Sequence, residues 1–219
     1  NKIKNVIAFV PIRGKKYDKF SKIFDKIGKK KLIDWTLDNL IKTKSIKYVV
    51  VSSPDQKVLS YVKKKNSKKI ISVKRDISIS TQGVSLDESV KQGITYLKKR
   101  YKFKTDFVVI SNINCPFRNF KHIENAINTI QIFNLDVVYG VTTKNSLFFK
   151  HNGSSLKPLR SFDYTNIHSE NKKIKMKIES EEIFIESGNF TVQKNNFFVK
   201  KSLKKSLIGY ENLNSLSSF

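Results

Sequence analysis

Residues 5–14 read NVIAFVPIRG, an unbroken apolar run closed by an arginine and a glycine. A half-exposed strand alternates apolar and polar side chains, so a run of this kind predicts a strand covered on both faces. Downstream, Leu32, Ile33, Trp35, Thr36, Leu37, Leu40 and Ile41 fall on one helical stripe over 32–42. A second buried strand follows at 47–53, then Pro54 and Asp55 as a helix start ahead of VLSYVKKK, and a short third strand at 70–73. Ser85 and Glu88 form a capping-box pattern before a helix reaching about Arg100. Residues 106–111 are a fourth strand, 119–133 another helix and 136–142 a further strand. Alternation of this type predicts an α/β three-layer sandwich with a mainly parallel, Rossmann-like sheet.

After residue 142 the pattern becomes β-rich. FFKHNGSSLKPL carries Asn152 and Gly153, a strong hairpin turn, and EEIFIES at 181–187, followed by Gly188, Asn189 and FTV, predicts another strand pair. Neither an internal repeat nor a long linker interrupts the chain. The expectation is one domain over 1–219 with a β-hairpin arm at about 144–182.

Composition narrows the class. The 219 residues are 39% hydrophobic and 11% aromatic, enough for a sizeable core. No stretch approaches the ~18 consecutive apolar residues that span a bilayer, and no secretion signal is recognisable. The single cysteine, Cys115, cannot close an internal disulfide and lacks the partners of a zinc site, which fits a reducing, cytoplasmic setting and a buried filler. A net charge of +25 invites a nucleic-acid reading. The lysines, however, are spread over Lys29–Lys31, Lys63–Lys65, Lys172–Lys177 and Lys200–Lys205, whereas a groove tracking a phosphate backbone concentrates them on one face. What remains is a diffuse attraction for anionic ligands.

Candidate chemistry begins where the first strand ends. In an open parallel sheet, ligands bind beyond the carboxyl ends of the strands, and RGKKYDKFSK (13–22) lies there. Amides freed by glycine, a guanidinium and nearby ammoniums suit a triphosphate, with a solvated basic loop as the alternative. The spacing is not that of a Walker loop.

Here the chain resembles the CMP-sugar synthetases, cytidylyltransferases that activate neuraminic and related nonulosonic acids. Their amino terminus reads PARGGSKxxxxKN, then GKPLIxWT. Pro11, Arg13 and Gly14 match the first motif, and Gly28, Lys30, Leu32, Ile33, Trp35 and Thr36 the second. VVVSSPDQKVLSYVKK resembles the family's second strand and helix, KRDISIS its arginine segment, and ISNINCPFRNFKHIENAI its QPTSPLR segment and following helix. SSLKPL and ESGNF fall where the family has GxLKPL and a strand opening Asn-Gly-Ala.

The resemblance implies a nucleotide-diphospho-sugar transferase type of fold and a transferase that joins a 2-keto sugar acid to CMP with loss of pyrophosphate. A catalytically weakened nucleotide- or sugar-binding relative is the alternative. Arg13, Lys16 and Lys22 would be catalytic, and these with Gly14, Arg75 and Ser85 would hold CTP. The family's serine and lysine fall on Lys16 and Tyr17, and its asparagine on Ile23, so either Lys16 supplies the displaced charge or the loop is weakened. Arg75 is a nucleotide ligand or one half of a surface ion pair, and Ser85 a nucleotide contact or a helix cap. Asn112, Arg118 and Asn189 would face the sugar, with loop packing and turn formation as the alternatives for the last two. The family's Mg²⁺ comes with an Asp-Ile-Asp run, which the resemblance places beyond Phe219, so no metal ligand is assigned within 1–219. His122, His151 and His168 have no partners at ligand or triad spacing, and Phe148, Phe149 and Phe162 read as core or dimer contacts. The arm would make a homodimer; the partners would be CTP and an acidic sugar, with neither membrane nor nucleic acid.

Overall fold

Val6–Val10 are fully buried, and the strand they form sits in the interior of a seven-stranded sheet. The computed structural model of the chain describes residues 4–81, 83–144, 149–151, 153–158, 183–199 and 206–213. Its strands are β1 (Val6–Pro11), β2 (Lys26–Ile27), β3 (Lys30–Lys31), β4 (Ile46–Ser53), β5 (Ile70–Lys74), β6 (Phe107–Ser111), β7 (Val137–Lys144), β8 (Phe149–His151), β9 (Leu156–Pro158), β10 (Ile183–Lys194) and β11 (Ile208–Asn212). Its helices are α1 (Leu32–Lys42), α2 (Gln56–Lys63), α3 (Leu86–Tyr101) and α4 (Phe120–Ile132). The large sheet runs β11-β7-β10-β6-β1-β4-β5. β1 pairs in parallel with both β4 and β6, and β4 with β5, whereas β10 runs antiparallel to β6.

Side chains leave a strand on alternate faces, and β1 supplies two cores accordingly. Val6, Ala8 and Val10 pack with Ile33, Leu37 and Leu40 of α1, Val58 and Val62 of α2, and Ile123, Ile127 and Ile130 of α4. Ile7 and Phe9 pack with Val90 and Leu97 of α3. Three helices therefore cover one face and α3 the other, the expected sandwich.

The chain divides into two compact units, Asn1–Val141 with Glu186–Phe219, and Thr142–Ile185. Within the second, β8 and β9 form the antiparallel hairpin expected around residues 152–153. Asn152, Phe148, Phe162, His168 and residues 159–182 lie outside the described residues.

Three expectations need correction. Residues 183–194 form one continuous strand, not a pair: Gly188 takes φ +65 within it, and Ser187 Oγ accepts the Asn189 amide at 3.2 Å. The two-residue pairing of β2 with β3 and the strand β11 escaped the pattern because both are short and polar. The capping box is half made: Ser85 Oγ accepts the Asp87 amide at 3.2 Å, while Glu88 pairs with Lys91 at 3.0 Å.

One close approach sets the spacing of α3 from the sheet. A Cβ on Gly93 would come within 2.7 Å of the Phe9 ring, which is itself fully buried and cannot swing aside. Alanine favours a helix over glycine by about 1 kcal/mol, and overpacking a core costs about 1–3 kcal/mol. Gly93→Ala is therefore expected to lower stability on balance, by about 1–2 kcal/mol in urea unfolding; a stabilised variant would show that the helix is free to move.

Candidate functional site

The strand order reverses at β1. The chain moves outward through β4 and β5 and returns as β6 on the other side, so the crevice beyond the carboxyl ends of β1 and β6 is where this architecture places ligands. A cleft of about 1110 Å³ lies there, lined by Ile12 and Arg13 after β1, Ile110, Asn112 and Ile113 at the end of β6, and Gly188, Phe190 and Thr191 of β10. Phe190 pairs with Ser111 in the sheet, and the Asn112 amide donates to Asn189 O at 3.3 Å, which holds β10 against that end.

The loop leaving β1 is fixed by a buried carboxylate. Gly14 adopts φ +78, and a Cβ there would lie 2.3 Å from Asp55 Oδ2. Asp55 is 3% exposed; Oδ1 accepts the Lys57 amide at 2.9 Å, capping α2, and Oδ2 accepts the Lys16 amide at 3.4 Å. Gly14 O in turn accepts the amides of Tyr17 at 3.1 Å and Asp18 at 2.9 Å. Further on, Ile23 is buried in the core, and its carbonyl accepts the Ile33 amide at 3.1 Å. The residue standing in the place of the resembled family's asparagine thus anchors the loop to α1.

Arg13, Lys22, Arg75 and Asn112, four of the residues singled out in the sequence, line the cleft together. Arg13 Nη2 donates to Thr81 O at 3.3 Å. Arg75 is no partner in a surface ion pair: it is 4% exposed, its Nη2 donates to Ile12 O at 3.0 Å, and its Nε has no hydrogen-bond partner. Burial, and after it the charge of Arg13, lowers the Arg75 pKa to about 10. Two guanidiniums lining one cleft, neither of them in an ion pair among the described residues, favour an anionic ligand.

The other expectations are placed elsewhere. Gly14 packs on Asp55, and Lys16 lines a neighbouring hollow, with its Nζ 5.7 Å from the Tyr17 ring centroid. Ser85 is an exposed helix cap; its neighbours Val84 and Leu86, and Ser89 one turn on, line the cleft instead. Arg118 is 4% exposed and turned into its own loop, where Nε donates to Cys115 O at 3.1 Å and Nη2 to Asn112 O. Burial lowers its pKa to about 10. It shapes the 112–118 loop and offers no guanidinium to a ligand. Asn189 is buried with Oδ1 unpartnered and is not part of the lining. Cys115 is half-buried and not a core filler, its thiol 3.8 Å from Gly188 O. His122 lies 3.0 Å from Glu211, and His151 Nδ1 accepts the Gly153 amide at 3.1 Å.

Sequence reasoning missed Asp18, Phe20, Tyr139, Glu186, Thr191 and Gln193, all in the lining. β10 supplies Glu186, Gly188, Phe190, Thr191 and Gln193, and the left-handed Gly188 interrupts its alternation between the first and the rest. Burial, and after it the charge of Glu186, raises the Tyr139 pKa, so these two are electrostatic neighbours. Among the described residues no three His, Cys, Asp or Glu side chains gather into a metal cage. The cleft's carboxylates are Asp18 and Glu186, and Mg²⁺ ordinarily takes one or two carboxylates with phosphate oxygens and water.

No protein-family model matches the chain, and no curated protein matches it in sequence. Solved structures do match. The chain is similar to 4-diphosphocytidyl-2C-methyl-D-erythritol synthase from Anaerococcus prevotii, with TM-score 0.64 and 10% identity over 98% of this chain and 89% of that one. It is similar to CMP:2-keto-3-deoxy-manno-octonic acid synthetase complexed with CTP, with TM-score 0.63 and 12% identity over 96% and 90%. It is also similar to 2-C-methyl-D-erythritol 4-phosphate cytidylyltransferase from Francisella tularensis, with TM-score 0.57 and 15% identity over 86% and 72%. The fold is that of the cytidylyltransferases.

In this cytidylyltransferase fold the placement of Arg118 is open to a direct test. Arg118→Met keeps much of the bulk but leaves two loop carbonyls without donors, each costing about 1–3 kcal/mol where buried. The variant is expected to lose about 2–4 kcal/mol in chemical denaturation. A variant as stable as the parent would mean that the guanidinium is not holding the loop.

Proposed function

We propose that the chain is a nucleotidyltransferase that takes CTP as donor. The triphosphate lies along Arg13, Lys22 and Arg75, and the acceptor lies toward Asn112. An acceptor hydroxyl attacks the α-phosphorus and gives its proton to water, a new P–O bond forms, the bond from the α-phosphorus to the oxygen it shares with the β-phosphate breaks, and pyrophosphate leaves. The chain contributes alignment and charge neutralisation, and no covalent nucleophile is needed. The observation that carries this reading is the buried Arg75 guanidinium beside Arg13 at the switch-point cleft.

For the acceptor we retain the 2-keto sugar acid, probed beside a sugar-alcohol phosphate. With Arg118 committed to its loop, the groups near Asn112 are the polar side chains Asn114, Thr191 and Gln193 and the carboxylate of Glu186. Asp18 and Glu186 are the residues that would complete the shell of an Mg²⁺ carried in on the nucleotide, and such an ion would offset phosphate charge. The homodimer belongs to the same proposal, and light scattering checks it.

One observation favours the weakened relative. Lys16, the residue in a position to restore the loop's lost lysine, faces the neighbouring hollow, and its amide goes to Asp55.

A pyrophosphate-release assay crossing four nucleoside triphosphates with keto-sugar acids and sugar-alcohol phosphates separates these readings. CTP is expected to be the productive donor. Arg13→Ala and Lys22→Ala should lower kcat/KM by about 10²-fold. Ser85→Ala should leave kcat/KM within about twofold while costing about 1 kcal/mol of stability as a lost cap. CTP binding in calorimetry without release of pyrophosphate for any acceptor would establish the binding relative instead.

A further inference from the structure

A second hollow, of about 990 Å³, shares Arg75 with the cleft and is otherwise not used by the proposed transfer. It is walled by Lys15, Lys16 and Tyr17 of the loop after β1, by Pro54–Lys57 at the start of α2, and by Lys74–Ile77 at the end of β5 and just beyond it. Five cations meet there: Lys15, Lys16, Lys57, Lys74 and Arg75. None of the five joins an ion pair among the described residues.

Two acids share the wall and leave the cations in excess by three. Asp55 is 3% exposed between the amides of Lys16 and Lys57, and Asp76 Oδ2 accepts Gln92 Nε2 at 2.8 Å. Arg75 supplies a second, independent observation. It lines this hollow as well as the cleft, it is more than nine-tenths buried, and its Nε has no hydrogen-bond partner. A buried guanidinium left partly unpartnered is costly unless something else completes it.

We propose that this hollow is a second anion site, for a ligand carrying two or more phosphate groups, and that it can be filled while the cleft is occupied. Five cations drawn from three segments exceed what one carboxylate would need, and lysines meet phosphate as mobile point charges. Tyr17, Pro54 and the 60% exposed Ile77 add an apolar wall that a nucleoside or other organic group could cover. The concave shape lets one ligand touch several of these cations at once. Arg75 joins the two sites. An anion in the hollow would offset the charge that Arg13 and Arg75 bring close together.

Calorimetry of the full chain with inorganic pyrophosphate, at physiological salt and without acceptor, tests this. Pyrophosphate is expected to bind to protein already saturated with CTP. The double variant Lys57→Gln/Lys74→Gln, at two exposed positions outside the core, should weaken that binding by about tenfold or more while leaving CTP affinity within about twofold. The control Lys98→Gln/Lys99→Gln removes the same charge from the end of α3 and should change neither. The proposal is overturned if CTP abolishes pyrophosphate binding, if the hollow's double variant binds as the parent does, or if the control weakens binding equally. Should CTP itself fail to bind, the transfer reading falls. The present proposal is then decided by whether pyrophosphate binding depends on Lys57 and Lys74 and not on Arg13.

Discussion

A strand buried on both faces has no side chain to spare for chemistry along its length. β1 is such a strand, with Val6–Val10 divided between two cores, so whatever it contributes to function must appear at its end. Its end is unusually constrained. Ile12 N donates to Ser52 O at 2.9 Å, Arg75 Nη2 reaches Ile12 O, and Asp55 occupies the space that any side chain at position 14 would need. The loop that carries Arg13 is thus held from β4, from the start of α2 and from the end of β5. Site geometry here follows from core packing, because β4 and β5 can supply those anchors only while their own buried faces stay in register with β1.

Arginine placement shows how burial selects a role. Arg75 and Arg118 are equally buried, and burial depresses each to about the same pKa. What differs is how the freed donors are used. Arg118 gives two donors to carbonyls of its own 112–118 loop and keeps Nη1 unpartnered inside it. Arg75 has one carbonyl and a cationic neighbour. Each keeps one nitrogen unpartnered, and the difference between them is position: Arg75 lines the cleft and Arg118 does not.

Much of the fold was legible because its signals are periodic. The stripe over 32–42 reappears as α1 without a shift at either end, and the run at 5–14 as the doubly covered β1. Elements without periodicity were not legible: β2, β3 and β11 are defined by pairing partners far along the chain or by a two-residue turn. The site divides in the same way. Arg13 and Lys22 follow from their position after the first strand, but no local signal tells a cleft-facing arginine from a loop-locking one. Arg118 looked like a ligand because the backbone carbonyls that capture it become neighbours only when the loop folds. Glu186 was hidden by reading 183–194 as two strands, because only the continuous β10 carries residues 186–193 past the cleft.

The treatment of Asp55 bears on how the loop could work at all. A carboxylate at a helix start takes the place that a phosphate takes in many nucleotide-binding loops, since both use amides at a positive helix end. Here that place is filled from within: the Lys57 and Lys16 amides both point at Asp55. The loop therefore cannot grip phosphate by cradling it in the same backbone amides. Side-chain cations are placed on both sides of it, with Arg13 and Lys22 on one and Lys15, Lys16, Lys57 and Lys74 on the other. This loop is braced by its own acid, and it presents charge outward on both of its sides.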